Sequence, residues 1–174
     1  MSTLSVDTIT GQTAAANVKL PAGTILQTVS ATSSGVLQHN SATFTNLPGM
    51  TITIAPKFSN SKLIFWVQIH GYINTGGQVW QGGDIRIIRT DNSTTFMNPY
   101  SSGNGYGMAH AGGGTSTHRI MDYMTRTAEH LPASTASKTY NIQWRNTDAS
   151  TGTHDINEPT YGGGGHMICQ EISV

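Results

Sequence analysis

Alternation of apolar and polar residues marks several short segments of this chain. The longest uninterrupted apolar run, Leu63–Val67, lies in the segment Ala55–Gly71, between a Ser-Asn-Ser turn signal and a glycine. With a period of two, one face of this segment is wholly apolar and the other is mixed: the first carries Leu63, Phe65, Val67 and Ile69, and the second carries Lys62, Ile64, Trp66, Gln68 and His70. The pattern predicts a central strand that packs a domain core on its apolar side.

Further short strands are predicted after residue 46, and no amphipathic helix is. They are Met50–Ile54, a short strand beginning at Val79-Trp80, Asp84–Thr90, Arg119–Thr125, Thr139–Arg145 with Tyr140, Ile142 and Trp144 inward, and His166–Val174. Cys169, on the last of them, is expected to be a small core residue. Short strands separated by loops indicate an all-β protein, an antiparallel jelly-roll-type sandwich.

Residues 1–45 have a different composition from the rest of the chain. They contain two charged residues, Asp7 and Lys19, and no helical periodicity. Such a segment buries too little apolar surface to fold alone. We therefore expect an anchoring arm or short shaft over 1–45, which adds strands to a neighbouring chain, and a head domain over 46–174. The alternative is a terminal tail that is merely ordered.

The charge content narrows the possible partners. Of the 174 residues, 10% are charged and the formal net charge is zero. Nucleic acids and anionic membrane surfaces attract a basic excess, so neither is an expected partner. A single cysteine excludes an intrachain disulfide framework, and the amino terminus shows no signal peptide. A polar but uncharged surface suits a component of an assembly that is made in the cytoplasm.

Three segments resemble a known family. The run VDTITGQTAAANVKLPAGTILQTV resembles the N-terminal part of fibre proteins from tailed phages of marine and cyanobacterial hosts. LPGMTITIAPKFSNSKLIFWVQIHG resembles the opening strands of their receptor-binding head domains, and MICQEISV resembles the closing strand with its Glu-Ile pair. The resemblance covers most of the chain and is weakest over 91–135.

This resemblance implies a homotrimeric, TNF-like or C1q-like β-sandwich head on an intertwined N-terminal region. It also implies a place on the virion, with residues 1–45 contacting other virion proteins. The chain lacks the extended shaft of long tail fibres. A tail fibre, a short accessory or head fibre and a capsid decoration or cement protein therefore all stay open.

Catalytic and metal-binding motifs are absent from the sequence. The seven histidines form no HxH or HxxxH pair, and there is no GxSxG or GxxxxGK[ST] motif. The acidic residues are scattered, whereas a glycan-cleaving enzyme needs paired carboxylates. We expect a protein that is not an enzyme and that binds no cofactor or metal. A three-fold axis could still gather one histidine from each chain.

Two long loops rich in Gly, Tyr, Asn and His are candidates for glycan binding, because aromatic faces stack on sugars while amides and imidazoles bond to hydroxyls. The candidate residues are Tyr100, Asn104, Tyr106, His110, Tyr161 and His166. The competing interpretation is surface loop without a ligand.

The mixed face of the central strand is the candidate trimer interface. Ile64 and Trp66 are expected to face a neighbouring subunit near the three-fold axis, with Gln68 and His70 continuing that surface. The alternative is that a loop of the same chain covers them. Together these features favour a phage head protein for attachment to host-surface glycan, with capsid decoration as the second hypothesis. A third hypothesis is an enzyme or cellular lectin unrelated to phages.

Overall fold

The chain folds as an all-β sandwich. The computed structural model describes residues 20–74, 80–97, 108–111, 119–146, 153–158 and 164–174. No helix in these ranges is long and apolar enough to cross a membrane. The strands are β1 (Ile25–Thr32), β2 (Leu37–His39), β3 (Thr45–Ile54), β4 (Lys62–Asn74), β5 (Trp80–Arg89), β6 (Thr95–Met97), β7 (Met108–Ala111), β8 (Arg119–His130), β9 (Lys138–Asn146), β10 (Thr153–Ile156) and β11 (His166–Ile172).

The strands form two antiparallel sheets. In the first, which we call the β4 sheet, the order is β1-β11-β4-β10-β2, and β8 also pairs with β4. In the second, the β9 sheet, the order is β3-β9-β5-β6, and β7 also pairs with β5. β4 pairs with β11 and then β10 along one edge and with β8 along the other. The prediction of a central strand is confirmed.

The core lies between the two sheets and consists of the faces that the alternation predicted. Leu63, Phe65, Val67 and Ile69 of β4 are all buried, as are Tyr140, Ile142 and Trp144 of β9. The rings of Phe65 and Tyr140 meet with centroids 5.0 Å apart across the sandwich. Each fully buried side chain of this size stabilises the fold by about 1.5–3 kcal/mol relative to exposure.

Cys169 of β11 is a core residue, as expected. Its side chain is fully buried. Burial, with a smaller contribution from Glu171, raises the pKa of the Cys169 thiol to about 12. The thiol therefore stays protonated and unreactive at neutral pH.

The first two strands correct the predicted boundary between arm and head. β1 and β2 fall within the predicted arm, yet both belong to the β4 sheet. β1 pairs with β11 from Ile25 to Thr32, and Val29 and Ala31 pack against the core. The sandwich therefore begins by Ile25 rather than at residue 46. Residues 1–19 lie outside the described residues, and an anchoring role for them stays a prediction.

Candidate functional site

Trp66 and Ile168 form the centre of an exposed apolar area on the outer face of the β4 sheet. They are directly paired residues on the adjacent strands β4 and β11. The exposed fractions are 36% for Trp66 and 39% for Ile168. Ile64, two residues before Trp66 on the same face, is half-buried. Paired side chains in this register lie about 4.5–5.5 Å apart at their Cβ atoms, so they form one continuous surface.

The residues around this pair are polar but largely uncharged. Thr127 of β8 lies opposite Trp66 on the other side, and Gln68 and His166 form the next cross-strand pair; all three are exposed. At one end of the face, Lys62 and Glu129 form an ion pair of 3.0 Å. Covering such a face with another protein surface has little electrostatic cost. Removing its apolar centre from water is favourable in free energy.

His70 does not belong to this exposed surface. Although the alternation places it outward, its side chain is only 2% exposed. Tyr123 lies directly across from it on β8, and the two rings meet with centroids 4.9 Å apart. The predicted surface thus ends before His70, because a residue of the same chain covers the imidazole. The Tyr123 side chain is itself 51% exposed and continues the face toward β8.

The predicted glycan-binding residues are described only in part. Tyr100, Asn104, Tyr106 and Tyr161 lie outside the described residues. His110 lies on β7, opposite Gln81 of β5, and its side chain is also outside the described part.

His166 is the one predicted glycan-binding residue whose side chain is described. It is exposed on β11 beside Gln68, so it belongs to the outer face of the β4 sheet rather than to a loop. That position links one predicted glycan-binding residue to the predicted subunit interface.

No group of three or more His, Cys, Asp or Glu side chains in the described ranges is arranged to hold a metal ion. Two histidines, His39 on β2 and His154 on β10, are directly paired across their strands. His154 is fully buried, and its ring meets Trp144 with centroids 5.8 Å apart. Burial, followed by the proximity of His39, lowers the pKa of His154 to about 4. A neutral imidazole in an apolar setting suits a core position.

Sequence reasoning did not single out Glu171, whose carboxylate is fully buried. One carboxylate oxygen accepts hydrogen bonds from the backbone N–H groups of Lys57 and Phe58, at 2.7 and 3.2 Å, and from the Ser61 hydroxyl at 2.5 Å. The other accepts a 2.6 Å hydrogen bond from the Gln27 amide. The alternation along β11 could have identified this residue, because Glu171 lies on the same inward face as Met167 and Cys169.

Comparisons with known proteins give loose structural likenesses. No protein-family model and no curated protein sequence matches the chain. Among solved structures, the chain is similar to Eiger TNF from S. frugiperda, with 11% identity, a TM-score of 0.44, and coverage of 84% of this chain and 92% of that one. It is also similar to the CBM22-1 xylan-binding domain of Paenibacillus barcinonensis Xyn10C, with 11% identity, a TM-score of 0.28, and coverage of 90% and 99%. Likenesses at these TM-scores carry no argument about this chain, whose sandwich is defined by its own strand pairing.

Proposed function

We propose that this chain is a structural protein of a tailed-phage virion, whose homotrimeric head attaches the particle to glycan on the host surface. The observation that carries self-association is the exposed Trp66–Ile168 pair on a largely uncharged sheet face. Covering that face with a second copy removes apolar surface from water without burying an unpaired charge. Three parts of the proposal rest on the resemblance of the sequence to phage fibre heads: the location on the virion, the trimeric state and glycan as the ligand.

In this proposal each part of the chain has a distinct task, and none is enzymatic. Ile64, Trp66 and Gln68 contact the neighbouring copies. The segment ahead of the sandwich anchors the head to other virion proteins. The predicted loops that carry Tyr100, Tyr106 and Tyr161 bind the glycan. The protein is synthesised in the host cytoplasm and assembled there into particles.

Mass measurement of the purified chain in solution tests the self-association. We expect a trimer that persists on dilution to micromolar protein. A stable monomer under those conditions would contradict the proposal, because the exposed apolar face would then stay in contact with water and not associate. The same measurement in high salt is expected to leave the trimer intact, since an apolar interface is little screened by ions.

The place on the particle is tested separately. Gold-labelled antibody against this chain, viewed on intact virions by electron microscopy, is expected to mark the tail. Uniform labelling of the capsid would contradict the attachment role and favour capsid decoration. It would not bear on the proposal that the chain is a trimer.

A further inference from the structure

The outer face of the β9 sheet is chemically unlike that of the β4 sheet. Its side chains are joined across the strands β3 and β9 by hydrogen bonds between hydroxyl and amide groups. These bonds are Thr53–Thr139 at 2.8 Å, Thr51 to Asn141 at 2.9 Å and Gln143 to Asn46 at 2.8 Å. With a rise of about 3.3–3.4 Å per residue, they form a polar strip of roughly 13 Å along β9.

At one end of this strip, two arginines lie over a single aromatic ring. The guanidinium carbon of Arg86 is 4.0 Å from the centroid of Phe44, and that of Arg145 is 4.8 Å from it. Arg86 and Arg145 come from the adjacent strands β5 and β9, where they are diagonal neighbours. A ring face attracts each cation, so Phe44 helps to position both guanidinium groups.

Only one of the two arginines is paired with a carboxylate. Asp84 is buried and accepts hydrogen bonds from Nε and Nη2 of Arg145, at 3.2 and 2.8 Å. Arg86 donates its Nε–H to the side-chain oxygen of Gln143 at 2.6 Å, which is an amide and carries no charge. No carboxylate in the described ranges forms an ion pair with Arg86. Partial burial, followed by the nearby Arg145, lowers the pKa of Arg86.

This arrangement is preorganised for an anion. The Arg86 guanidinium is held by Phe44 on its face and by Gln143 at Nε, and Gln143 is fixed in turn by Asn46. Its two terminal nitrogens remain as parallel donors, the geometry that carboxylates and sulfates accept in bidentate fashion. Because little side-chain freedom is lost on binding, even one anionic contact gains affinity.

We propose that Arg86, Arg145 and Phe44 form a binding site for the carboxylate or sulfate group of an acidic saccharide. The single uncompensated positive charge matches one such group. The hydroxyl and amide strip that begins beside it offers hydrogen bonds to the sugar hydroxyls of the neighbouring units. Nucleic acid is a poor match, because its affinity comes from several cations that neutralise successive phosphates. The site is complete within one chain, so anion binding does not depend on formation of the trimer.

Nuclear magnetic resonance titration of the full chain with oligogalacturonate tests the site directly. We expect the side-chain Nε resonances of Arg86 and Arg145 to shift on binding, and the shifts to diminish as salt is raised through the range in which exposed charges are screened. The methyl ester of the same oligosaccharide, which lacks the charge, is expected to bind at least 10-fold more weakly, as for loss of a hydrogen bond to a charged group. Equal binding of the ester would overturn the proposal.

The variant Arg86→Gln is expected to lose about 10-fold or more in affinity, while Arg86→Lys retains part of it. Arg126→Gln is the matched control, because Arg126 is exposed on β8 of the other sheet. Unchanged binding by a folded Arg86→Gln variant would overturn the site, and so would the absence of Nε shifts in the unmodified chain.

Three further probes separate the sources of the anion. Free sulfate, a sulfated oligosaccharide and a short polyglutamate peptide are titrated under the same conditions. Tighter binding of either acidic saccharide than of sulfate or peptide supports the proposal. Equal affinity of free sulfate or of the peptide would show a site that selects charge alone, and the saccharide assignment would fail.

Discussion

The backbone of Gly83 on β5 lies directly against the indole ring of Trp144 on β9. A β-carbon at residue 83 would lie 1.7 Å from Cζ2 of that ring. Trp144 is fully buried, and close-packed protein interiors leave few voids into which such a ring could move. The absence of a side chain at residue 83 is therefore what allows the largest core residue to occupy its position.

Gly83→Ala is expected to destabilise the fold by about 3 kcal/mol or more, because overpacking forces the indole and a neighbouring strand to shift. Chemical denaturation followed by tryptophan fluorescence measures the change. Gly164→Ala is the matched control, since no atom lies within 4 Å of a β-carbon there. A loss of stability equal in the two variants would contradict the role of the Trp144 contact.

Glu171→Ala is expected to destabilise the fold by about 3 kcal/mol, since it leaves several buried donors without an acceptor. Glu171→Gln is expected to cost less, because one oxygen remains. Glu129→Gln serves as control: its ion pair with Lys62 is largely exposed, and such pairs contribute about 0–1 kcal/mol. Thermal unfolding of the three variants gives the comparison, and equal effects at residues 171 and 129 would exclude a structural role for the buried carboxylate.

Acid is expected to destabilise the fold through His154. The folded-state pKa of about 4 lies below the ordinary value of 6.5, so the unfolded chain takes up the proton first as the pH falls. The stability is complete above pH 6.5 and declines by about 1.4 kcal/mol per pH unit down to about pH 4, a total of about 3 kcal/mol.

Denaturation midpoints across this pH range measure the effect, with His154→Phe as the test variant. The stability of the variant is expected to decline less steeply with falling pH, because its unfolding takes up about one proton fewer. Burial also lowers the pKa of His130, so part of the dependence remains. An unchanged pH profile in His154→Phe would place the titrating group elsewhere.

In the proposed trimer, Trp66→Ala is expected to weaken the association of the copies without unfolding the chain. Burying the exposed part of the indole contributes about 2 kcal/mol per copy, which corresponds to a roughly 30-fold change in the association constant for each interface. Sedimentation velocity at several dilutions measures assembly, and circular dichroism measures the fold. Thr53→Ala, on the outer face of the other sheet, is the control. A Trp66→Ala variant that assembles as tightly as this control would show that the face serves another purpose.

Alternation along the sequence predicted the sandwich core well, because every second residue of a strand with one buried face must be apolar. Tyr140, Ile142 and Trp144 were assigned to the core on this basis and are fully buried. β1 was not predicted as part of the sandwich, since its sequence ILQTVSAT has an exposed polar face and an inner face that is only half-buried.

Contacts between distant strands could not be predicted, because they depend on register. His70 lies on the outward phase of β4, yet Tyr123 covers it from a strand more than fifty positions away. The proximity of Arg86 and Arg145 has the same origin: each is an outward residue on its own strand, and only the pairing of β5 with β9 brings them to one ring. A single sequence contains no direct signal for such pairings.

The antiparallel pairing of β1 with β11 also determines how the sandwich would bear mechanical load. The backbone N–H of Gly23 donates to Ser173, and that of Ser173 donates to Thr24, so the entry and the exit of the sandwich lie side by side. A pull on the segment before residue 20 against the far end of the sandwich acts along β1 and strains its hydrogen bonds to β11 together, in shear. A pull between residue 20 and Val174 would instead break the hydrogen bonds between β1 and β11 one after another from one end. A head tethered from its amino-terminal side and held at the opposite end would therefore be loaded in its stronger direction.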